Sequence, residues 1–240
     1  MGYPELTMSA WLRFDSIRRG LDRARPSRIL EFGAGEGAFG VWLASRYDYA
    51  GVEPDETSQA VAAGRLQAAG QGTVLQALAP DSPHADTVCA FEVLEHIQDD
   101  AAALKTWREQ LEPRGHLLIS VPAHSTRFGV SDRYVGHYRR YDRGALQNLL
   151  EGAGFEILAW DSYGAGLGHL LDALRNVMLR RRSKTSTAAE GTALSGRLFQ
   201  PKSRGRALVN YLVALPFRAL QRPFASTDIG IGYVILARLR

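Results

Sequence analysis

Cysteine is almost missing from this chain: Cys89 is the single one in 240 residues. An internal disulfide is therefore excluded, and a thiolate metal cluster has no support. Its place in the apolar run Thr87-Val-Cys-Ala-Phe91 marks a small buried hydrophobe rather than a nucleophile. Long hydrophobic runs are missing too. No stretch reaches the ~18 apolar residues of a membrane span, and the first residues lack the apolar core of a secretory signal. A reducing cytoplasm is the expected location, no metal site is expected, and no internal repeat is apparent.

A strong charge of one sign is also lacking overall, since 29 Lys/Arg face 25 Asp/Glu for a net +4. The distribution is uneven. Residues 161–228 hold eleven Lys/Arg against four Asp/Glu, a net +7, and the remaining eighteen basic and twenty-one acidic residues give −3. The basic character belongs to one segment.

What is present is an alternation of strands and helices. Trp11, Leu12, Phe14, Ile17 and Leu21 fall at helical spacing within residues 8–24, and Pro26 stops that helix. Strands are expected at 28–32, 49–53, 74–78, 87–91, 115–121, 155–160 and 231–239. Helices are expected at 38–46, 56–69, 101–111 and 142–153. Such alternation implies βαβ units and a mostly parallel sheet covered on both faces, a Rossmann-like doubly wound α/β fold with an antiparallel last strand. The chain divides as a single domain over 1–240, with an N-terminal helix in 1–25 and a basic helical insertion at 161–228 between the last two strands. Sheets of this kind bind ligands beyond the carboxyl ends of their strands.

At that edge lies Ile29-Leu-Glu-Phe-Gly-Ala-Gly-Glu-Gly-Ala-Phe-Gly40, which holds two overlapping glycine combs. Gly33, Gly35 and Gly37 make GxGxG. Gly35, Gly37 and Gly40 make GxGxxG, the dinucleotide fingerprint. Either comb lets the backbone take positive φ and approach a ligand while the next helix offers free N–H groups. Glu31 separates the two. A carboxylate just ahead of the turn repels phosphates and attracts a cofactor bearing an ammonium and a sulfonium. Glu53, ending the second strand, can accept two ribose hydroxyls of either kind of cofactor.

Glu31-Phe-Gly-Ala-Gly-Glu-Gly37 resembles the first motif of the class I S-adenosylmethionine-dependent methyltransferases, and Gly51-Val-Glu-Pro-Asp55 their second-strand acidic signature. Ala90-Phe-Glu-Val-Leu-Glu-His-Ile97 and Leu111-Glu-Pro-Arg-Gly-His-Leu-Leu-Ile-Ser-Val-Pro122 are similar to the fourth- and fifth-strand motifs of the branch containing the quinone-biosynthesis methyltransferases. The four motifs stand in the family's order over roughly residues 25–160. The resemblance implies that Glu31 and Gly33 hold the methionine part of S-adenosylmethionine, with Ala34, Gly35 and Gly37 along the turn. Glu53 would bind the ribose beside Pro54, and Phe91 and Glu92 would border the sulfonium. S-adenosylhomocysteine would be the product. The chain departs from the family after the third strand: the acidic residue that commonly meets adenine has no counterpart in Gln76-Ala-Leu-Ala-Pro80, and Asp81 lies beyond the proline.

The loop Pro122–Asp142 is dense in His, Tyr and Arg, and some members of the branch carry a similar Gly-His-x-Arg-x-Tyr segment as a substrate-pocket wall. His137 is the first choice as general base, because imidazole titrates near ~6.5; His124 and Tyr141 are reserves. Arg139 and Arg140 are candidates to clamp a carboxylate or phosphate, or are a solvated pair. His96 is expected to orient the fourth-strand turn.

In the insertion, Leu167, Leu170, Leu171, Leu174, Val177 and Met178 form a helical stripe running into Arg180-Arg181-Arg182. A looser tract follows at Ser183–Ser195. Residues 207–217 are then almost wholly apolar, flanked by Lys202, Arg204, Arg206 and Arg218. These helices are expected either to pack as a lid or a homodimer interface, or to dock on an anionic membrane and admit a lipid-like acceptor. The leading function is O-methylation of a hydrophobic small molecule or lipid-linked intermediate. The alternatives are an NAD(P)-dependent oxidoreductase using the GxGxxG register, a nucleic-acid methyltransferase, and a catalytically silent fold that keeps the cofactor. Nucleic acid is disfavoured as a partner because the basic segment lacks interleaved stacking aromatics.

Overall fold

The computed structural model describes residues 6–79, 81–180 and 204–240, the side chains of Arg180 and Arg204 excepted. Arg181, Arg182, the Ser183–Ser195 tract and Lys202 lie outside the described residues, as does Pro80.

Seven strands form one sheet in the order β3-β2-β1-β4-β5-β7-β6. They are β1 (Arg28–Phe32), β2 (Asp48–Val52), β3 (Thr73–Leu75), β4 (Ala85–Phe91), β5 (Leu111–Pro122), β6 (Phe155–Tyr163) and β7 (Gly232–Leu239). The pairs among β1 to β5 are parallel, and β7 runs antiparallel to both β5 and β6. The order turns outward on either side of β1 and β4, so their carboxyl ends flank the crevice where such sheets take a ligand.

Eight helices accompany the sheet among the described residues: α1 (Met8–Ala24), α2 (Ala38–Ala44), α3 (Glu56–Ala69), α4 (Asp100–Glu109), α5 (Val130–Tyr134), α6 (Arg143–Gly152), α7 (Leu167–Arg180) and α8 (Arg204–Leu220). Several begin on a side-chain cap. Thr7 accepts from the Ala10 N–H, Asp55 from Ser58 and Asp99 from Ala102. α1 stops at Arg25, one residue before Pro26, in the left-handed conformation.

Strand alternation sends neighbouring residues to opposite faces. Leu30, Val88, Leu117 and Ile235 join Leu104 and Trp107 of α4 and Leu146 and Leu150 of α6 in one core. Ile29, Cys89, Leu118 and Leu236 join Leu12, Ile17 and Leu21 of α1, Leu43 of α2 and Leu66 of α3 in the other. Cys89 is fully buried, as its sequence context indicated.

α7 and α8 lie between β6 and β7 in the chain, and they are built inside out. α8 rests its small face on α1, with Ala207 and Ala214 buried and Tyr211 against Trp11 at 4.9 Å between ring centroids. Arg218 belongs to this contact and not to a solvated basic patch: it bridges to Asp15 at 2.6 Å and lies over the Trp11, Phe14 and Tyr211 rings. The larger apolar residues Leu208, Val209, Leu212, Val213 and Leu215 face outward. On α7, Leu167 and Leu171 pack inward, whereas Leu170, Leu174, Val177 and Met178 are between 50% and 56% exposed. Twelve of the sixteen exposed large apolar side chains among the described residues fall between Leu170 and Ile229. The stripe on α7 is thus divided, with Leu167 and Leu171 packed against the core and the other four exposed.

Candidate active site

The glycine turn joins β1 to α2. Gly33, Gly35 and Gly37 all have positive φ, at 70°, 55° and 74°. Gly33 cannot carry a side chain, since a Cβ there would stand 2.4 Å from Val93. At Gly35 a Cβ would meet nothing within 4 Å, so this is the open point of the turn. Gly40 has a packing reason: a Cβ would meet the Tyr49 hydroxyl at 2.5 Å. The conformationally required comb is therefore GxGxG. Glu53 reaches across the turn, its Oε2 accepting from the Gly35 N–H at 2.8 Å and its Oε1 from the Asp55 N–H at 3.0 Å. Gly35 and Glu53, eighteen residues apart, are thus joined at the carboxyl ends of β1 and β2, with Ala34 tied to β2 through the Val52 carbonyl and Pro54 exposed beside them.

Glu31 is placed differently from its expectation. Its side chain is turned inward, the residue only 3% exposed, and its Oε2 accepts from the Tyr49 hydroxyl at 2.6 Å. Burial pushes its carboxyl up to about 7, against the opposing pull of the Tyr49 hydrogen bond. At neutral pH the group is divided between acid and carboxylate. Its influence on the crevice is a titratable field beneath the turn, not an open charged contact.

Beyond β4 the chain enters a second recess. Phe91 is buried, its ring 5.1 Å from Phe39. Glu92 takes the left-handed conformation at φ 59°, a strained position for a side-chain-bearing residue. Its Oε1 accepts from both Ser120 Oγ and the Tyr163 hydroxyl, each at 2.9 Å. Glu92 and Tyr163 line a cavity together with His137, Asp132, Arg140, Arg13 and other residues of α1, α5 and α7. No residue of the glycine turn lines it.

α5 builds the central pair of this wall. Asp132 sits in its first turn, where one oxygen accepts from the Gly129 N–H at 2.8 Å, and the helix closes with the His137 N–H on the Asp132 carbonyl. The Asp132 Oδ1 then meets His137 Nδ1 at 2.9 Å and Arg140 Nε at 2.8 Å. Burial alone would raise Asp132, but the hydrogen bonds from His137 and Arg140 outweigh it and hold its carboxyl at about 2. A carboxylate on Nδ1 assigns the proton there and leaves Nε2 with the basic lone pair.

Around this pair lie two more ionisable groups. His137 Nε2 is 3.8 Å from Glu95, a fully buried carboxyl whose two oxygens have no hydrogen-bond partner among the described residues. Burial and the neighbouring Glu92 push Glu95 well above the usual carboxylate range. His96 packs edge-on to His137 at 4.6 Å, and burial, with the neighbouring His137 ring, pushes it down to about 3, so it is neutral. Glu95, His96 and His137 bring one oxygen and two ring nitrogens within 4.8 Å of one another, donor types that a divalent cation accepts, a cluster the sequence did not announce.

The reserve bases are elsewhere. His124 Nε2 is engaged by the Gly230 carbonyl at 3.1 Å, and His124 does not line the cavity. Tyr141 is buried, donates to Asp100 at 3.0 Å, and is pushed far up by burial and the Asp100 charge. Neither Arg139 nor Arg140 is a free clamp. Arg139 is bound to Asp100 at 2.6 Å, and Arg140 is enclosed between Asp132 and Asp172.

Asp132, Tyr163 and Arg13 went unnoticed in the sequence. Asp132 had a signal, an acid five residues before the singled-out histidine. Tyr163 and Arg13 reach the cavity only through the sheet order and the docking of α1.

With the geometry established, comparison with known proteins places the chain. A family profile described as "Methyltransferase domain" matches residues 11–159. A probable S-adenosylmethionine-dependent methyltransferase of Mycolicibacterium smegmatis is 31% identical over 172 residues, 67% of this chain and 65% of that protein. A ubiquinone biosynthesis O-methyltransferase of Alkalilimnicola ehrlichii is 30% identical over 118 residues, 45% of this chain. The chain spans about half (47%) of the latter's length. A solved S-adenosylmethionine-dependent methyltransferase from Mesorhizobium loti shares the fold, with a TM-score of 0.60 over 95% of this chain and 97% of that one at 17% identity. The chain belongs to the class I S-adenosylmethionine-dependent methyltransferase family. The dinucleotide register of the glycine turn is thereby set aside.

Proposed function

We propose that the protein transfers the methyl group of S-adenosylmethionine to an oxygen of a hydrophobic small molecule or lipid-linked intermediate. Bound S-adenosylmethionine supplies an electrophilic methyl on a sulfonium. The chain's own residues do the rest. Gly35 gives the ligand open backbone to approach, Glu53 offers carboxylate oxygens to the ribose hydroxyls, and Glu92 and Tyr163 form the edge between crevice and cavity. His137 Nε2 takes the proton of the acceptor hydroxyl, and Asp132 orients the ring and stabilises the imidazolium that results. The Asp132–His137 pair in the wall of a cavity shared with Glu92 is the observation that carries this proposal.

The outward apolar faces of α7 and α8 support an apolar acceptor taken from a membrane surface. No described helix is long and apolar enough to cross a bilayer, but exposed leucines on a segment of net +7 suit peripheral docking on anionic lipid. Sedimentation with vesicles tests this. We expect the protein to pellet with vesicles containing anionic phosphatidylglycerol, less so with neutral phosphatidylcholine vesicles, and to be released by Leu174→Glu combined with Leu212→Glu. Equal recovery in the supernatant with both vesicles, with the mass of a dimer in solution, would assign these faces to a second copy of the chain instead.

A further inference from the structure

Among the cavity residues, Arg13 stands apart. It projects from α1, is half-buried, and makes no hydrogen bond or ion pair with any described residue, while its charge acts at longer range on the buried carboxyls Glu31 and Glu95. The other charged groups of the wall are engaged. Glu92 accepts from Ser120 and Tyr163. Asp132 is held by Gly129, His137 and Arg140, and Asp172 by Arg140. Arg175 approaches the Ser9 hydroxyl. A guanidinium has five donors in a rigid fork, and inside a cavity its natural complement is a pair of oxyanion oxygens.

We propose that Arg13 is the anion-binding residue of the acceptor cavity, so that the methyl acceptor carries a carboxylate or phosphate group which the guanidinium clamps, with Ser9 and Arg175 beside it. The site rests on the methyltransferase assignment and narrows it from an apolar acceptor to an amphiphilic, anionic one. The clamp fixes one end of the molecule in the recess that also holds the Asp132–His137 pair. Burial of the rest of the cavity wall makes a charge-assisted contact there stronger than on an open surface.

An oxyanion at Arg13 has two sources, the acceptor and the amino-acid carboxylate of the cofactor. Calorimetry separates them. Octanoate and octyl phosphate, with uncharged 1-octanol as control, are titrated into the full chain saturated with S-adenosylhomocysteine. We expect at least one anion to bind more tightly than octanol. Arg13→Gln should weaken that anion about ten- to hundredfold and leave octanol unchanged, and Arg13→Lys should recover part of the loss. In parallel, S-adenosylhomocysteine and 5′-methylthioadenosine, which lacks the amino-acid part, are titrated into wild type and Arg13→Gln. Unchanged affinities for both show that the variant is folded and that the acceptor is the source. The proposal is overturned if neither anion outbinds octanol, if Arg13→Gln leaves anion binding unmoved, or if the loss falls on S-adenosylhomocysteine but not on methylthioadenosine. None of these failures touches methyl transfer itself, which is read by cofactor binding and His137.

Discussion

Replacing His137 by glutamine is expected to lower turnover about 10²- to 10⁴-fold, the usual worth of a positioned general base. Affinity for S-adenosylhomocysteine should stay nearly unchanged, because His137 lines a cavity that no residue of the glycine turn reaches. Glutamine keeps a donor for the Asp132 carboxylate, so the buried Asp132–Arg140 ion pair at 2.8 Å keeps its surroundings. Steady-state rates with labelled S-adenosylmethionine, beside a thermal melt, read this prediction. A large loss of cofactor affinity would move His137 into the cofactor crevice. Unchanged turnover would leave it a loop-ordering residue. Asp132→Asn should be the more damaging change to stability, since it removes the charge that compensates buried Arg140.

Glu31→Gln should stabilise the free protein above pH 7 by up to about 3 kcal/mol. Glu31 is buried beneath the turn, and its carboxyl is raised from 4.5 to about 7, chiefly by burial. Between those values the folded chain holds a proton that the unfolded chain has released. Stability from this group therefore falls as pH rises from about 4.5 to about 7 and is level above, at about 1.4 kcal/mol per pH unit. Glutamine can still accept from Tyr49 without titrating, so its denaturation profile should lose this slope. Cofactor binding carries the linked effect. An ammonium brought near Glu31 favours its ionised form, so binding should release up to one proton near pH 6 and none well above pH 7. Calorimetry in buffers of different ionisation enthalpy measures that release.

Much of the fold was legible because local signals agreed. Arg28–Phe32 and Glu56–Ala69 are a strand and a helix over the residues their patterns indicate, the helix opened by its Asp55 cap. The antiparallel last strand was readable as a β-type run following helical segments, and β7 indeed pairs with β6 as well as β5. Boundaries shifted where tertiary pairing decided. β3 shrank to three residues, and β6 ran on to Tyr163 through its pairing with Gly232, taking the first residues assigned to the insertion. Gly232 permits this, since a Cβ there would strike the Tyr163 ring.

The site was legible in its parts and less so in its orientations. Glu31 was singled out as an open charge at the turn. The structure turns it onto Tyr49, a residue eighteen positions away that no local pattern connects to it. Gly40, which supplied the rival register, proves to be a packing glycine for that same tyrosine. The stripe on α7 was visible at helical spacing, but spacing defines a face and not the direction it points. That direction follows from Asp172, Arg175 and Asn176, which turn inward to the cavity, Ser9 and Ser131. Likewise Arg139 and Arg140 looked like a free pair only until their acidic partners on α4, α5 and α7 came beside them.

Calorimetric titration of wild type and Glu53→Ala with S-adenosylhomocysteine, and of wild type with NAD, tests the central claim that the Gly33–Gly37 turn and Glu53 form the crevice for a sulfonium nucleoside. One equivalent of S-adenosylhomocysteine should bind, NAD should give no saturable heat, and Glu53→Ala should weaken S-adenosylhomocysteine at least about tenfold through loss of charge-assisted ribose hydrogen bonds. Saturable NAD binding of equal or greater strength, or S-adenosylhomocysteine affinity indifferent to Glu53→Ala, would contradict it.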